Sequence, residues 1–339
     1  MKDKQKIRTA VIGLGVGAHQ ARILSTHPSC QLVWLCDLDQ TKLSELGSEL
    51  TEAKQTQNDQ DVLTDPNIDM VCVASYDEAH HRQVLMALNH GKHVYVEKPI
   101  CLTKNEAQDI RLALKVNPHL RLSSNMVLRT CPLFIKVRDT VKSEKIGKIY
   151  HLEADYFWGR KEKIISGWRA EADLYSIIHG AAVHMVDLAM WIIGKKPVTV
   201  QALGSHIATA ETLQRHNDFA VLLLGFENHM SVKVSAHGGC VHPHFHSLKV
   251  FGKNSSFIHE STGTVWIDSS NPNQTFRSES ANYPAKTERS RALISFLESL
   301  SNFKKDALIS DEEVFNTMSV CLAAEEAVKT NRIINIEYL

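Results

Sequence analysis

The chain has 339 residues, 43% hydrophobic and 22% charged, with 38 Lys+Arg against 38 Asp+Glu and a formal net charge of zero. That length exceeds one hydrophobic core, so two globular domains are expected. The absence of any basic run removes the electrostatic case for nucleic acid or an anionic membrane as partner. The 7 cysteines (Cys30, Cys36, Cys72, Cys101, Cys131, Cys240 and Cys321) are scattered and never form a C-x-x-C pair, which argues against a disulfide framework and a structural zinc site. The opening "MKDKQKIRTAVIG" carries no apolar signal region and no stretch is long enough to cross a bilayer, so a cytoplasmic location is expected.

The first third alternates. Apolar, β-rich runs at 7–13, 31–37, 70–75 and 93–97, with a shorter one at 120–124, enclose helical patterns at 19–26, 41–50, 79–90 and 105–116. This rhythm predicts an α/β domain over 1–128, a doubly wound parallel sheet. After about residue 130 the rhythm changes. "CPLFIKVRDTVKSEKIG" places Pro132 near a helix N-terminus and ends at Gly147. "KIYHLEADYFWG" reads as a strand, and "ADLYSIIHGAAVHMVDLAMWIIG" as one long helix stopped by Gly194 and Pro197. From about 198 to 268 there are four to six strand-like runs without long helices, which predicts a mostly antiparallel sheet. Helices near 288–300 and 311–330 and a short strand in "RIINIEYL" complete a second, α+β domain over 129–339.

"IRTAVIGLGVGAHQARIL" carries Gly13-x-Gly15-x-x-Ala18 between a strand and a helix. Gly13 permits the tight turn, Gly15 lets the backbone approach a pyrophosphate, and Ala18 allows close helix–strand packing. Val16 and Gly17 lead into the helix, whose N-terminal N–H groups suit phosphate. The strand in "LVWLCDLD" ends at Asp37, about 20 residues beyond the glycines, where an acid binds an adenosine ribose. A carboxylate there repels a 2′-phosphate, and Leu38 and Asp39 offer no arginine to hold one. NAD is therefore expected over NADP. Ligands of an open parallel sheet bind outside the carboxyl ends of its strands. "HVYVEKPI" delivers Glu97, Lys98 and Pro99 to such an end, and Pro99 is a candidate for a cis bond.

"VCVASYDEAHHRQVLMALNHGKHVYVEKPICLTKNEAQDI" (71–110), followed by "LRTCPLF", "GWRAEADL", "VHMVDLAMWIIG" and "SDEEVFNTMSVCLAAEEAVKTNRII", resembles the glucose–fructose oxidoreductase/inositol dehydrogenase/MocA (Gfo/Idh/MocA) family over nearly the whole chain. The resemblance implies a Rossmann domain followed by a domain with an open, mainly antiparallel sheet, through which members form dimers or tetramers. It implies hydride exchange between nicotinamide and a carbinol or ketone of a sugar, cyclitol or sugar nucleotide. On this likeness Lys98 polarises the reacting oxygen and His184 is the acid/base. Asp187, His179 and Arg129 are expected at the substrate. Ser75, Tyr76, His80, Glu97, Lys98, Trp168 and Arg169 are expected at the cofactor, with Asp77 replacing the common Asn. One departure stands out: Gly180 replaces the family's frequent Asp, and Ala182 its Gly. That leaves two other readings open, an NAD-dependent glycosidase acting by transient oxidation and a non-catalytic NAD or sugar sensor. Finally, His242, His244 and His246 in "AHGGCVHPHFHS" alternate and would share one face of a strand. They read as cleft lining or as an ordinary sheet face, and no metal is expected.

Overall fold

The computed structural model describes residues 6–271, 273, 276–302 and 305–339, so the first five residues of the opening stretch lie outside it. Two compact units emerge: Met1–Met126 with Thr287–Phe315 and Leu339, and Val127–Lys286 with Asn316–Tyr338. In the first, strands β1 (Ile7–Ile12), β2 (Cys30–Cys36), β3 (Lys54–Thr56), β4 (Met70–Val73), β5 (His93–Val96) and β6 (Leu122–Ser124) form a wholly parallel sheet in the order β3-β2-β1-β4-β5-β6. All four residues of β4 are buried, as expected where helices cover both faces of a parallel sheet. Those helices are α1 (Gly17–Thr26), α2 (Gln40–Glu49), α3 (Asp59–Leu63), α4 (Asp77–Asn89) and α5 (Lys104–Val116). The order reverses between β1 and β4, so the ligand crevice of such a sheet lies outside the carboxyl ends of these two strands.

The second unit holds α6 (Pro132–Lys142), β7 (Ile149–Phe157), α7 (Glu162–Ile165), α8 (Trp168–Glu171), α9 (Val183–Ile193), β8 (Thr199–Ser205), β9 (Phe219–Gly225), β10 (Ser231–His237), β11 (Phe245–Gly252), β12 (Ser256–Glu260), β13 (Gly263–Ile267), β14 (Arg277–Ser278) and β15 (Ile334–Asn335). The strands form one open sheet, β14-β13-β12-β11-β7-β10-β9-β8-β15. Every neighbouring pair is antiparallel except β7 and β10, which run parallel. The strands alternate: Leu152, Ala154, Val232, Val234, Leu222, Leu248 and Val250 are buried on one face. On the other, Lys233 bridges Asp155 at 2.8 Å and Lys249 bridges Glu260 at 2.7 Å. A face that meets helices needs apolar residues, and a face that meets solvent does not.

Helix α9 is the centre of this unit's apolar layer. Every residue from Val183 to Ile192 is buried, as befits a helix that is hydrophobic all round, and it packs on β7, β10 and α6. It ends at Gly194, whose φ of +70° makes the left-handed cap. The single long helix predicted from Ala172 starts only at Ile177, and its first turn is not α-helical. Residues Ile178–Ala182 form a π-helical turn, with the Val183 N–H on Ile178 O.

Later in the chain come α10 (Ser290–Ser301) and α11 (Asp311–Thr330). Leu293, Phe296, Leu297 and Leu300 of α10 enter the core of the first unit, where the Phe296 and Tyr95 ring centroids are 5.8 Å apart. Among the described residues no helix is long and apolar enough to cross a membrane.

The chain beyond Pro99 is anchored by a capping box on α5. Thr103 Oγ1 accepts the Glu106 N–H at 3.2 Å, while the Glu106 carboxylate accepts the N–H groups of Leu102 and Thr103 at 2.7 and 3.1 Å. Thr103→Ala is expected to lower unfolding stability by about 1 kcal/mol, read as a shift of the urea midpoint.

Candidate cofactor and substrate sites

The glycine loop is shaped by close contacts. Gly13 has φ +88°, and a Cβ there would lie 2.3 Å from Ala74 O, so only glycine lets the end of β1 pass the end of β4. At Gly15 an added Cβ would meet nothing within 4 Å, which leaves the backbone open to a ligand. At Gly17 it would lie 2.9 Å from Val11 Cγ1 and 3.1 Å from Ala74 Cβ. The close helix–strand approach expected at Ala18 therefore falls at Gly17, with Ala18 partly buried against the core. Asp37 stands beside the loop. Its Oδ2 accepts the Leu14 N–H at 2.5 Å and its Oδ1 the Asp39 N–H at 2.8 Å. Each carboxylate oxygen has more than one acceptor site, so both can still take a ribose hydroxyl. Val16, Leu38 and Tyr76, just beyond β1, β2 and β4, expose apolar side chains along this edge. The residues present fit a dinucleotide: an open cradle for pyrophosphate, an acid for ribose and apolar surface for rings.

At the end of β5, Glu97 is a hub. Its Oε1 accepts Gln20 Nε2 at 2.9 Å and Asn125 Nδ2 at 2.6 Å, and Tyr95 Oη donates to Asn125 Oδ1 at 2.9 Å. Burial pushes the Glu97 carboxyl above the usual carboxylate range, against the opposing pull of the Lys98 ammonium and Asn125. The Lys98–Pro99 peptide is cis. His80 is fully buried between two turns, with Nδ1 2.6 Å from Pro99 O and Nε2 3.2 Å from Ser75 O. A neutral imidazole has one N–H to donate, and the shorter contact, from Nδ1 to Pro99 O, ties α4 to the turn that carries Lys98. Ser75 Oγ donates to Gln83 Oε1 at 2.6 Å, and Tyr76 is the N-cap residue of α4.

In the second unit, two residues expected at substrate reach each other. Arg129 donates from Nε to Asp187 Oδ2 at 2.9 Å and from a terminal nitrogen to Oδ1 at 2.6 Å. Thr317 Oγ1 adds a third bond to Asp187 at 3.3 Å. The pair is 2% and 1% exposed, a buried two-pronged ion pair that pins α9 to residues 127–130.

His184 is instead part of an aromatic array. Its ring meets Tyr156 edge-on at 6.0 Å. Tyr156 lies directly across the ladder from His246, and their rings stack at 4.6 Å. Tyr283 Oη accepts the His246 N–H at 2.7 Å and lies 2.9 Å from His246 Nδ1. Trp158 stacks beyond Tyr156, and the Arg169 guanidinium lies over both Trp158 and Trp168, at 5.6 and 4.3 Å. His179 is buried in the π turn, with its N–H on Ser176 Oγ.

The shared face expected for the three histidines is corrected. Strand β11 begins at Phe245, so alternation does not extend back to His242. His244 and His246 lie on Tyr156, whereas His242 stacks on Phe157, the next residue, which points to the other face. Among the described residues no group of three His, Cys, Asp or Glu side chains is placed to hold a metal ion. Gln20, Asn125, Tyr156, Trp158 and Tyr175 were not among the residues expected from sequence. "DYFW" alternates with an aromatic on His184's side, but only the fold shows which side that is.

A Rossmann-order sheet with this loop defines a dinucleotide-binding protein. Residues 7–122 match the model described as the oxidoreductase family with NAD-binding Rossmann fold, and residues 134–258 match the GFO/IDH/MocA C-terminal domain. The chain belongs to the Gfo/Idh/MocA oxidoreductase family. It is 20% identical over 219 residues to an inositol 2-dehydrogenase of Salmonella typhimurium, covering 64% of this chain and 63% of that one. It is 27% identical over 228 residues to inositol 2-dehydrogenase 2 of Saccharopolyspora erythraea, covering 66% and 64%. The chain thus matches less than two thirds of the length of either relative. Its fold is that of a myo-inositol 2-dehydrogenase from Lactobacillus plantarum (TM-score 0.82, 21% identity, 98% of this chain and 100% of that one). It is also that of a Lactobacillus casei scyllo-inositol dehydrogenase with bound NAD(H) and scyllo-inositol (TM-score 0.76, 20% identity, 98% and 99%).

Arg129→Met leaves a buried carboxylate uncompensated and is expected to cost about 3–5 kcal/mol of unfolding stability. Arg129→Met with Asp187→Leu is expected to recover a large part of that loss, since both charges go together. Urea denaturation of the two variants checks the sign.

Proposed function

We propose that the protein is an NAD-dependent dehydrogenase acting on a CH–OH carbon of a sugar- or cyclitol-like polyol. One observation carries the reading: a Rossmann-order sheet ends in an open glycine cradle, with the Asp37 carboxylate beside it and Lys98 at the end of β5. The names of the inositol dehydrogenases that the chain resembles support the substrate class.

When bound, the nicotinamide supplies a carbon that takes hydride from the carbinol or returns it to the ketone. The chain supplies the rest. Gly13, Gly15 and the first N–H groups of α1 hold the pyrophosphate. Asp37 binds the adenosine ribose and repels a 2′-phosphate, which makes NAD the preferred cofactor. Glu97, held by Gln20 and Asn125, supports Lys98. The Lys98 ammonium hydrogen-bonds the carbinol oxygen and stabilises the negative charge that grows there. His184 accepts the hydroxyl proton as the C–H electron pair leaves with its hydrogen, and gives it back in the reverse direction. Trp168 and Arg169 face the nicotinamide, and His179 lies beside the substrate. Arg129 and Asp187 keep α9 in place.

The open sheet would join copies of the chain into a dimer or tetramer. Leu203 and Leu223 are exposed on its polar face, beside the Lys233–Asp155 ladder. A cytoplasmic location goes with this reading.

Incubation of the purified protein with NAD and a polyol panel, followed by absorbance of the reduced cofactor, tests the proposal. Turnover is expected, and Lys98→Ala and His184→Ala should each reduce kcat by about 100-fold or more with NAD binding kept. Tight NAD binding without turnover on any polyol would sink the reading in favour of the sensor that Gly180 suggests. Aglycone release without net NADH would point to a glycosidase.

A further inference from the structure

Gly180 sits in a helical segment, where glycine is unfavourable relative to alanine, and its φ is not in the left-handed range that favours glycine. A neighbour requires it. A Cβ at position 180 would lie 2.5 Å from Tyr175 Oη and 3.1 Å from Cζ. The tyrosine hydroxyl therefore occupies the place where a side chain at 180 would begin. His184 follows four residues later, close to one turn on in this run of π turn and α-helix, so it projects from roughly the same side as position 180. The hydroxyl therefore lies on the side of this helical run from which His184 projects.

Four contacts hold that arrangement. Tyr175 is 3% exposed, and its ring meets Trp168 edge-on at 6.3 Å. The next residue, Ser176, accepts the N–H groups of Ile178 and His179 at 3.0 and 3.1 Å and donates to Glu325. The segment carrying Tyr175 is thus clamped to the start of the π turn, a kind of helix interruption frequent at functional sites.

We propose that Tyr175 is a further substrate-contacting residue, whose phenol O–H donates to the substrate oxygen on which His184 acts. This rests on the dehydrogenase reading. No proton leaves the tyrosine: the substrate's hydroxyl proton goes to His184, and the phenol strengthens its hydrogen bond as negative charge develops on that oxygen. A carboxylate at position 180 could only accept a hydrogen bond, whereas a phenol, with a reference pKa of about 10, stays neutral and donates. The geometry replaces a charged acceptor on the helix with a neutral donor from the loop before it.

The test uses NAD-saturated protein with myo-inositol and scyllo-inositol as probes, each also deuterated at the reacting carbon. Tyr175→Phe should lower kcat by about 100-fold while leaving the NAD Kd and Tm unchanged, and the primary isotope effect on kcat should rise. Gly180→Ala, which crowds the hydroxyl out, should lose activity similarly, and the double variant should be no worse than Tyr175→Phe. Where neither inositol turns over, the polyol of the panel that does is used in their place; no turnover by the wild type on any polyol overturns the dehydrogenase reading, and this proposal falls with it. Wild-type turnover that Tyr175→Phe leaves within about threefold, with an unchanged isotope effect, overturns this proposal alone. Loss of the fold in both Tyr175→Phe and Gly180→Ala assigns the hydroxyl a packing role and also overturns it.

Discussion

The carboxylate of Glu97 ties together the three pieces of chain that build the ligand edge of the first unit. Through Gln20 it holds α1, whose N-terminus faces the glycine loop. Through Asn125 it holds the chain just beyond β6, and Tyr95 locks that asparagine from the neighbouring strand. Its own backbone carries Lys98. A charged side chain at the end of a buried strand is costly unless its hydrogen bonds are satisfied. Here they are met by two amide donors on one oxygen, and the cost appears as a carboxyl shifted upward by burial. His80 adds the other half of the clamp through its 2.6 Å contact with Pro99 O. Strand ends that would otherwise fray are thereby held as a fixed edge.

The second unit solves a related problem with different chemistry. Helix α9 is apolar on every side, so its polar groups must be paired or placed at its ends. Asp187 is paired, by Arg129 and Thr317. His184, one turn earlier, rests its ring against Tyr156, and Tyr156 is fixed by the cross-strand stack with His246. The buried ion pair orients the helix, and the aromatic array orients the imidazole. The π turn before α9 and the missing side chain at Gly180 belong to the same construction, because both shape the space that the Tyr175 hydroxyl enters.

Much of this was legible in the sequence, for identifiable reasons. Alternating strand and helix patterns determine a parallel sheet, and the sheet's topology gathers strand ends, so Gly13, Gly15, Asp37 and Lys98 could be placed on one edge without coordinates. The antiparallel character of the later sheet followed from closely spaced strands without helices between them, although the parallel pairing of β7 with β10 left no local mark. What escaped depends on distance rather than on pattern. Arg129 and Asp187 are 58 residues apart, and nothing local says that they pair. The histidine cluster divides because β11 starts at Phe245, a boundary that alternation alone does not reveal. The apolar face of α10 was readable, but an apolar face does not name the core it enters. The tight approach at Gly17, rather than Ala18, depends on where Val11 and Ala74 come to lie.

A crystal structure with NAD and scyllo-inositol bound would show directly whether the edge held by Glu97 is where cofactor and polyol meet. The pyrophosphate is expected over Gly13, Gly15 and the start of α1, the adenosine ribose on Asp37, and Lys98 Nζ hydrogen-bonded to the polyol oxygen beside the nicotinamide. A dinucleotide seated away from the glycine loop, or a polyol whose reacting oxygen lies out of reach of Lys98, would contradict that placement.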